Sequence, residues 1–165
     1  MNDNTNKSDS NKSGQNPHAI LNRKARFDYE ILETFEAGLI LVGSEVKSLR
    51  TGQASIAEAF VRITGEEAWL QGSFINPYEQ AGVQFNHDPN RIRKILLHKR
   101  EINRLMGKVK EKGLTIIPLK LYFNKRGFVK IEIGLAKGKS HHDKREKIRE
   151  RDLNRQVSRD LRKYR

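Results

Sequence analysis

Two short segments hold residue types that could do chemistry. The first is His141-His142-Asp143, the raw material of a metal site or a general acid–base pair. Neighbouring side chains on a strand or helix diverge, so adjacent histidines rarely chelate one ion. His18, His87 and His98 lie far off in sequence, and no His/Asp/Glu cluster completes a site. A histidine beside basic residues is better suited to touching a phosphate or stacking on a base. The second segment is Asn22-Arg23-Lys24-Ala25-Arg26, followed by Tyr29. Guanidinium forks next to an aromatic ring grip folded RNA through phosphate and stacking contacts. Glu36, downstream, could accept a hydrogen bond from a base amino group or a ribose hydroxyl.

Other catalytic patterns fail. Gly138-Lys139-Ser140 has the last letters of a phosphate-binding loop, but residue 133 is Ile133 and a strand pattern precedes it. There is no Gly-x-Ser-x-Gly elbow. Cysteine is absent, which excludes disulfides, thiolate metal sites and a cysteine nucleophile. Glu45 and Glu58 read as exposed helix carboxylates without a catalytic partner. No metal or cofactor is therefore expected, and a ribonuclease built on His142 is a minor alternative.

Charge gives the broader statement. The 165 residues hold 33 Lys+Arg against 20 Asp+Glu, a net charge of +13. Such a field attracts polyanions, nucleic acid foremost. No apolar run approaches the roughly 18–20 residues that cross a bilayer. Residues 1–15 lack the apolar stretch of a signal peptide. The expected protein is soluble, cytoplasmic, monomeric and free of membrane.

The elements that must position these residues fall into three zones: a polar, disordered arm over 1–17, a folded body over 18–136, and a basic tail over 137–165. The body reads as mainly β. Strand patterns cover Phe27–Phe35, Leu39–Val42, Phe60–Thr64, Trp69–Ile75, Arg93–Leu97, Leu114–Phe123 and Phe128–Leu135. Val129, Ile131, Ile133 and Leu135 share one face of the last strand, and Pro118 marks an edge or bulge. Ser44 is expected to cap a short helix through Leu49, and Ser55–Glu58 has capping-box spacing for one turn. Ile102, Leu105, Met106 and Val109 give a helix over Lys99–Lys112. Many short strands with an inserted helix suggest an OB-type antiparallel barrel with about three short helices; a β-sandwich is the alternative.

The tail carries 12 Lys+Arg and 5 Asp+Glu, a surplus of +7. Leu153, Val157, Leu161 and Tyr164 form only a thin helical stripe, so the tail is expected to be disordered alone and helical against a polyanion. A general single-strand binder is a rival function, although 12 aromatic residues make a thin stacking groove.

One further signal is the ordered set of short motifs. Asn22–Arg26, Phe35-Glu36-Ala37-Gly38 and Gly43–Arg50 are followed by Asn76-Pro77, Asp88-Pro89, Arg91, Arg93-Lys94 and Ile95-Leu96-Leu97. Gly134–Lys139 and Asp143-Lys144-Arg145 close the series. Over about residues 18–165 this series resembles the SsrA-binding proteins, the small protein B family. The resemblance implies an OB-type barrel and a bacterial cytoplasmic RNA chaperone of trans-translation. Its partners would be the tRNA-like domain of transfer-messenger RNA and the ribosome, and it would catalyse nothing itself. By the same resemblance Asn22, Tyr29, Glu36, Leu96 and Lys130 fall on the RNA-binding side. Gly138, Lys139 and Asp143-Lys144-Arg145 fall in the tail that works in the ribosome, where His142 would contact ribosomal RNA.

Overall fold

The computed structural model describes residues 19–111 and 113–163. The expected arm over 1–17, together with His18 and Tyr164, lies outside the described residues. The strands are β1 (Ile20–Leu21), β2 (Tyr29–Leu39), β3 (Ala54–Ser55), β4 (Phe60–Thr64), β5 (Glu67–Gln71), β6 (Phe74–Ile75), β7 (Arg93–Leu96), β8 (Leu114–Phe123) and β9 (Val129–Gly138). The helices are α1 (Ala25–Asp28), α2 (Gly43–Arg50), α3 (Lys99–Val109) and α4 (His141–Lys163).

Hydrogen bonding runs antiparallel through β4, β5, β7, β2, β9 and β8, then back from β8 to β4, which closes the sheet into a barrel. Closure removes the unpaired edges that an open sheet would expose. The barrel interior is the alternation read from sequence: Ile131, Ile133 and Leu135 of β9 meet Ala37 and Leu39 of β2, Ile95 of β7, Ala68 and Leu70 of β5 and Ile116 and Leu121 of β8. Ile102 and Leu105 bury one face of α3. The backbone N–H of His98 donates to Glu101 Oε2 at 3.0 Å and starts that helix.

Two bulges reverse the alternation partway along the barrel wall. Register in β2 skips Leu32, between Ile31 opposite Ala136 and Glu33 opposite Leu135. Register in β8 skips Leu119, between Pro118 and Lys120, as the proline implied. On the outer side Ile117, Leu119, Ala136 and Ala25 therefore make a small second core, with Tyr29 and Ile31 against it. Gly134 lies beneath it, where an added Cβ would come within 3.0 Å of Leu119 Cδ1 and 3.1 Å of Ile31 Cγ2.

Several local expectations are corrected. Residues 25–28 form α1, so the strand expected from Phe27 is β2, which starts at Tyr29 and continues through Gly38 to Leu39. Ser44 does not cap α2. Its hydroxyl meets His87 Nδ1 at 2.9 Å, while the first-turn carboxylate of Glu45 accepts from the Val42 N–H at 2.9 Å. Ser55 belongs to β3, and Glu58 pairs with Lys24 instead of closing a capping box. The expected strand Trp69–Ile75 is divided at Gly72-Ser73.

In the tail, residues 141–163 form α4. A local reason is a reciprocal cap. The Asp143 N–H donates to Ser140 Oγ at 3.3 Å, and the Ser140 N–H donates to Asp143 Oδ2 at 3.3 Å. Of the tail's apolar residues whose side chains are described, Ile148, Leu153 and Val157 are exposed.

Candidate nucleic-acid interface

The register of the barrel wall brings distant residues onto one outer face. Leu96 of β7 stands opposite Gly38 of β2, Gly38 opposite Lys130 of β9, and Lys130 opposite Tyr122 of β8. The neighbouring row sets Glu36 opposite Glu132, and Glu132 opposite Lys120. Gly38 has a steric reason: a Cβ there would sit 3.3 Å from Leu96 Cβ, so Leu96 leans over bare backbone.

Glu36 is the centre of this cluster. It accepts a hydrogen bond from the Tyr122 hydroxyl, and Lys130 Nζ lies 3.4 Å from its other oxygen. The Tyr122 hydroxyl holds the Glu36 carboxyl below the usual carboxylate range; Lys130 adds to this and burial opposes it. Burial first, then the hydrogen bond to Glu36 and its charge, push the Tyr122 phenol up to about 12. The Lys120 ammonium sits 4.8 Å from the centre of the Tyr122 ring. A carboxylate, a phenol and two ammonium groups thus present acceptors and cations side by side.

The other end of the same face lies roughly 27 Å away, reckoning ~3.4 Å per residue along β9 from Lys130 to Gly138. Between the two ends α1 is seated by Asn22, only 6 % exposed and held against β8 at Pro118 and Leu119. Asn22 Nδ2 donates to the carbonyls of Ile56 (3.0 Å) and Pro118 (2.9 Å), and Oδ1 accepts from the Ala25 N–H (3.0 Å). The amide is fully engaged within the fold. Arg23, Lys24 and Arg26 around it are exposed, and Lys24 is 2.6 Å from Glu58.

The chain returns to the far end at the tail. Gly138 faces Tyr29 in the sheet. The Lys139 N–H donates to the Asp28 carbonyl, and Lys139 Nζ to the Arg26 carbonyl, both at 2.9 Å. Lysine on the last carbonyls of a helix is a favourable C-terminal contact. Arg26, Tyr29, Leu119, Lys139 and Asp143 line one open groove of about 560 Å³. The Arg151 guanidinium of α4 lies 5.2 Å from the Phe27 ring of α1. A Cβ on Gly138 would meet nothing within 4 Å, so packing does not demand glycine there. His142 and Lys144 lie in the first turn of α4 and Arg145 follows them.

The structure therefore groups Glu36, Leu96 and Lys130 at one end, and Arg26, Tyr29, Lys139 and Asp143 at the other. Asn22 stands behind the second group as its anchor. Tyr122 and Lys120 were missed from sequence. The signal was available in Pro118: once its bulge is counted, Lys120 and Tyr122 share the outer face with Glu36.

Glu45, expected to be exposed, is fully buried. Its carboxylate takes Arg93 Nε at 2.8 Å and Arg91 Nη2 at 2.6 Å. The buried Arg93 also donates to the carbonyls of Ser73, Arg91 and Pro89 and to the Ser73 hydroxyl, at 2.8–3.0 Å. Burial alone would raise the Glu45 pKa, but the Arg91, Val42 and Arg93 contacts outweigh it and hold the carboxyl low. This network ties α2 and the segment before β7 to the strand that bears Leu96.

A small basic barrel with a charged outer face and a long cationic helix at its end is built to meet polyanions. Comparison makes the assignment specific. The family model described as SmpB protein matches residues 19–163, and the chain belongs to that family. An "SsrA-binding protein" of Allorhizobium ampelinum is 58 % identical over 138 residues, covering 84 % of this chain and 87 % of the relative. One of Gloeothece citriformis is 50 % identical over 155 residues, covering 94 % and 99 %. A chain of the solved structure "tmRNA-SmpB: a journey to the center of the bacterial ribosome" superposes with a TM-score of 0.65 at 51 % identity, covering 80 % of this chain and 95 % of that one. Among the described residues no helix is long and apolar enough to cross a membrane.

Proposed function

We propose that this protein binds the tRNA-like domain of transfer-messenger RNA (SsrA RNA) and delivers it to stalled ribosomes in trans-translation. The barrel over 18–136 grips the folded RNA, and the tail over 137–165 acts in the ribosome. The protein works in the cytoplasm as a monomer. It makes and breaks no bond; the ribosome and its factors supply that chemistry.

The observation that carries this reading is the outer-face row that joins Leu96 and Lys130, with Glu36 and Tyr122 beside it. Residues from positions 36 to 130 meet there as a mixed apolar, anionic and cationic surface. Such a surface suits a folded RNA, read by shape, backbone and splayed bases rather than by a groove code. Arg23, Lys24, Arg26 and Tyr29 add phosphate and stacking contacts from the far end, and Asn22 holds them in place.

The tail supports the second half of the reading. A helix of 23 residues is roughly 35 Å long at ~1.5 Å per residue. Its uncovered cationic surface would enter the vacant message channel and occupy the decoding region, with Gly138, Lys139, His142, Asp143, Lys144 and Arg145 at its root. An anionic tunnel without message admits such a helix, and a tunnel that holds message does not.

The test uses gel shifts with the isolated tRNA-like domain, with ordinary tRNA as competitor. Glu36→Arg should weaken binding while the circular dichroism spectrum stays intact. A chain ending before Gly138 should keep RNA binding and lose peptide tagging in a reconstituted stalled-ribosome assay. Unchanged affinity in the first variant, or lost RNA binding in the second, refutes the division of labour.

A further inference from the structure

The barrel wall around Leu96 is apolar beyond what any single contact requires. Alternation in β7 turns Arg93 and Ile95 inward, and leaves Ile92 at 50 % and Leu96 at 53 % exposure. Just past β2, Ile40 is 46 % and Val42 44 % exposed. The β2–β7 register pairs Gly38 with Leu96 and Leu39 with Ile95, and the Ile40 N–H donates to the Lys94 carbonyl at 3.0 Å, so the two chain segments stay side by side just past the strand. Both the Val42 N–H and Arg91, next to Ile92, bond the same Glu45 oxygen, at 2.9 and 2.6 Å. Trp69 of β5 faces Lys94 across the next pair, with the Lys94 ammonium 5.7 Å from its ring centre.

The β2–β7 end thus exposes four aliphatic side chains, Leu96, Ile40, Val42 and Ile92, with Lys94 among them. Singly scattered apolar residues need no explanation, but a contiguous strip marks an interaction surface. We propose that Ile40, Val42 and Ile92 extend the RNA face past Leu96, as an apolar platform on which unstacked loop bases of the folded RNA pack, with Trp69 at its edge. The proposal rests on the reading of the outer face as the RNA interface.

Two observations select RNA as the occupant. The strip is continuous with the row that holds Leu96 and Lys130, so a ligand on that row overhangs it. Lys94, ion-paired with Glu67, stands within it, and Lys130, paired with Glu36, stands beside it; both pairs are partly exposed, so a phosphate can compete for either ammonium. A second copy of the chain is disfavoured by the repulsion between two bodies of charge +13.

Apolar and ionic contacts separate by salt. Only neutralised phosphates release counterions, so an apolar contact changes affinity without changing its slope against log salt. The full-length variant Ile40→Thr/Ile92→Thr keeps the β-branched shape. It should bind the isolated tRNA-like transcript about fivefold to tenfold more weakly, with the wild-type salt slope and an unfolding midpoint close to wild type. Lys130→Ala should weaken binding and flatten the slope. If the double variant does not fold, Ile92→Thr alone carries the same test with a smaller expected loss. Unchanged RNA affinity in the threonine variant, while Lys130→Ala binds weakly, overturns the platform and leaves the RNA face standing. Unchanged affinity in both overturns the RNA face itself. A threonine variant that binds RNA normally but loses ribosome binding or self-association assigns the strip to another partner and also overturns the proposal.

Discussion

Replacing Asn22 by alanine separates a residue that touches RNA from one that builds the surface RNA meets. The side chain makes three hydrogen bonds, to Ile56 O, Pro118 O and the Ala25 N–H, at 2.9–3.0 Å. Asn22→Ala leaves all three backbone groups without that partner in a site closed to solvent. A buried polar group left unsatisfied costs about 1–3 kcal/mol. The carbonyls keep other lone-pair directions, so about 3 kcal/mol in total is the expectation, near the top of ordinary substitutions. For a domain of this size, each kcal/mol lowers the unfolding midpoint by about 2–4 °C, so the shift should be roughly 6–12 °C. Thermal unfolding can be followed by far-ultraviolet circular dichroism and by the fluorescence of Trp69, the single tryptophan. Well below the midpoint, the folded variant should keep RNA affinity within about tenfold of wild type, because Arg23 and Arg26 remain. An unchanged midpoint with abolished RNA binding would refute the anchoring argument and make Asn22 a direct contact.

The buried Glu45 pair should dominate acid stability. Its folded pKa is depressed, so its contribution is present above the unfolded carboxylate value of about 4.3 and is lost as pH falls through the folded value. Glu45→Gln should cost about 3–5 kcal/mol at neutral pH, and urea titrations from pH 3 to 7 should show a flatter acid limb; an unchanged limb sinks the assignment. Tyr122→Phe removes the main donor that holds Glu36 ionised, so the acid limb of RNA binding should move to higher pH, and a profile that stays in place argues against the contact. Ser140→Ala/Asp143→Ala removes the reciprocal cap of α4 and should lower helical ellipticity while leaving the barrel's unfolding midpoint alone; equal ellipticity would mean that the cap is not what starts the helix.

The sequence patterns that survived contact with the structure are those set by local periodicity. Val129 to Leu135 alternate because β9 is flanked by strands on both edges and nothing interrupts its pleat. Ile102 and Leu105 recur at helical spacing because α3 lays one face on the core. Pro118 announced its own bulge, since a missing N–H must fall where the ladder is broken. What sequence alone could not give depends on non-local partners. Glu45 reads as an exposed helix carboxylate until Arg91 and Arg93, more than 40 residues later, close over it. Asn22 sits in a basic run and reads as a polar contact, yet its partners Ile56 and Pro118 lie 34 and 96 positions away. The same limit applied to Ser44 and Ser55, whose spacing fitted caps while strand pairing and His87 took them elsewhere.

The bulges explain why the candidate interface has two unlike ends. A strand with unbroken alternation keeps one character on each face, apolar inside and polar outside. By skipping Leu32 and Leu119, β2 and β8 exchange faces midway. Beyond the skips, toward Tyr29 and Gly138, the outer face gains Ile31, Ile117 and Leu119. This small outer core seats α1, and α1 in turn supplies the carbonyls that Lys139 grips at the root of the tail. On the near side of the skips the outer face keeps Glu36, Lys120, Tyr122 and Lys130, a charged cluster open to a ligand. One pair of irregularities therefore gives a single barrel wall both a polar recognition surface and an apolar mount for the cationic helix. It also fixes their separation, because both are read out along the same strands, β2 and β9.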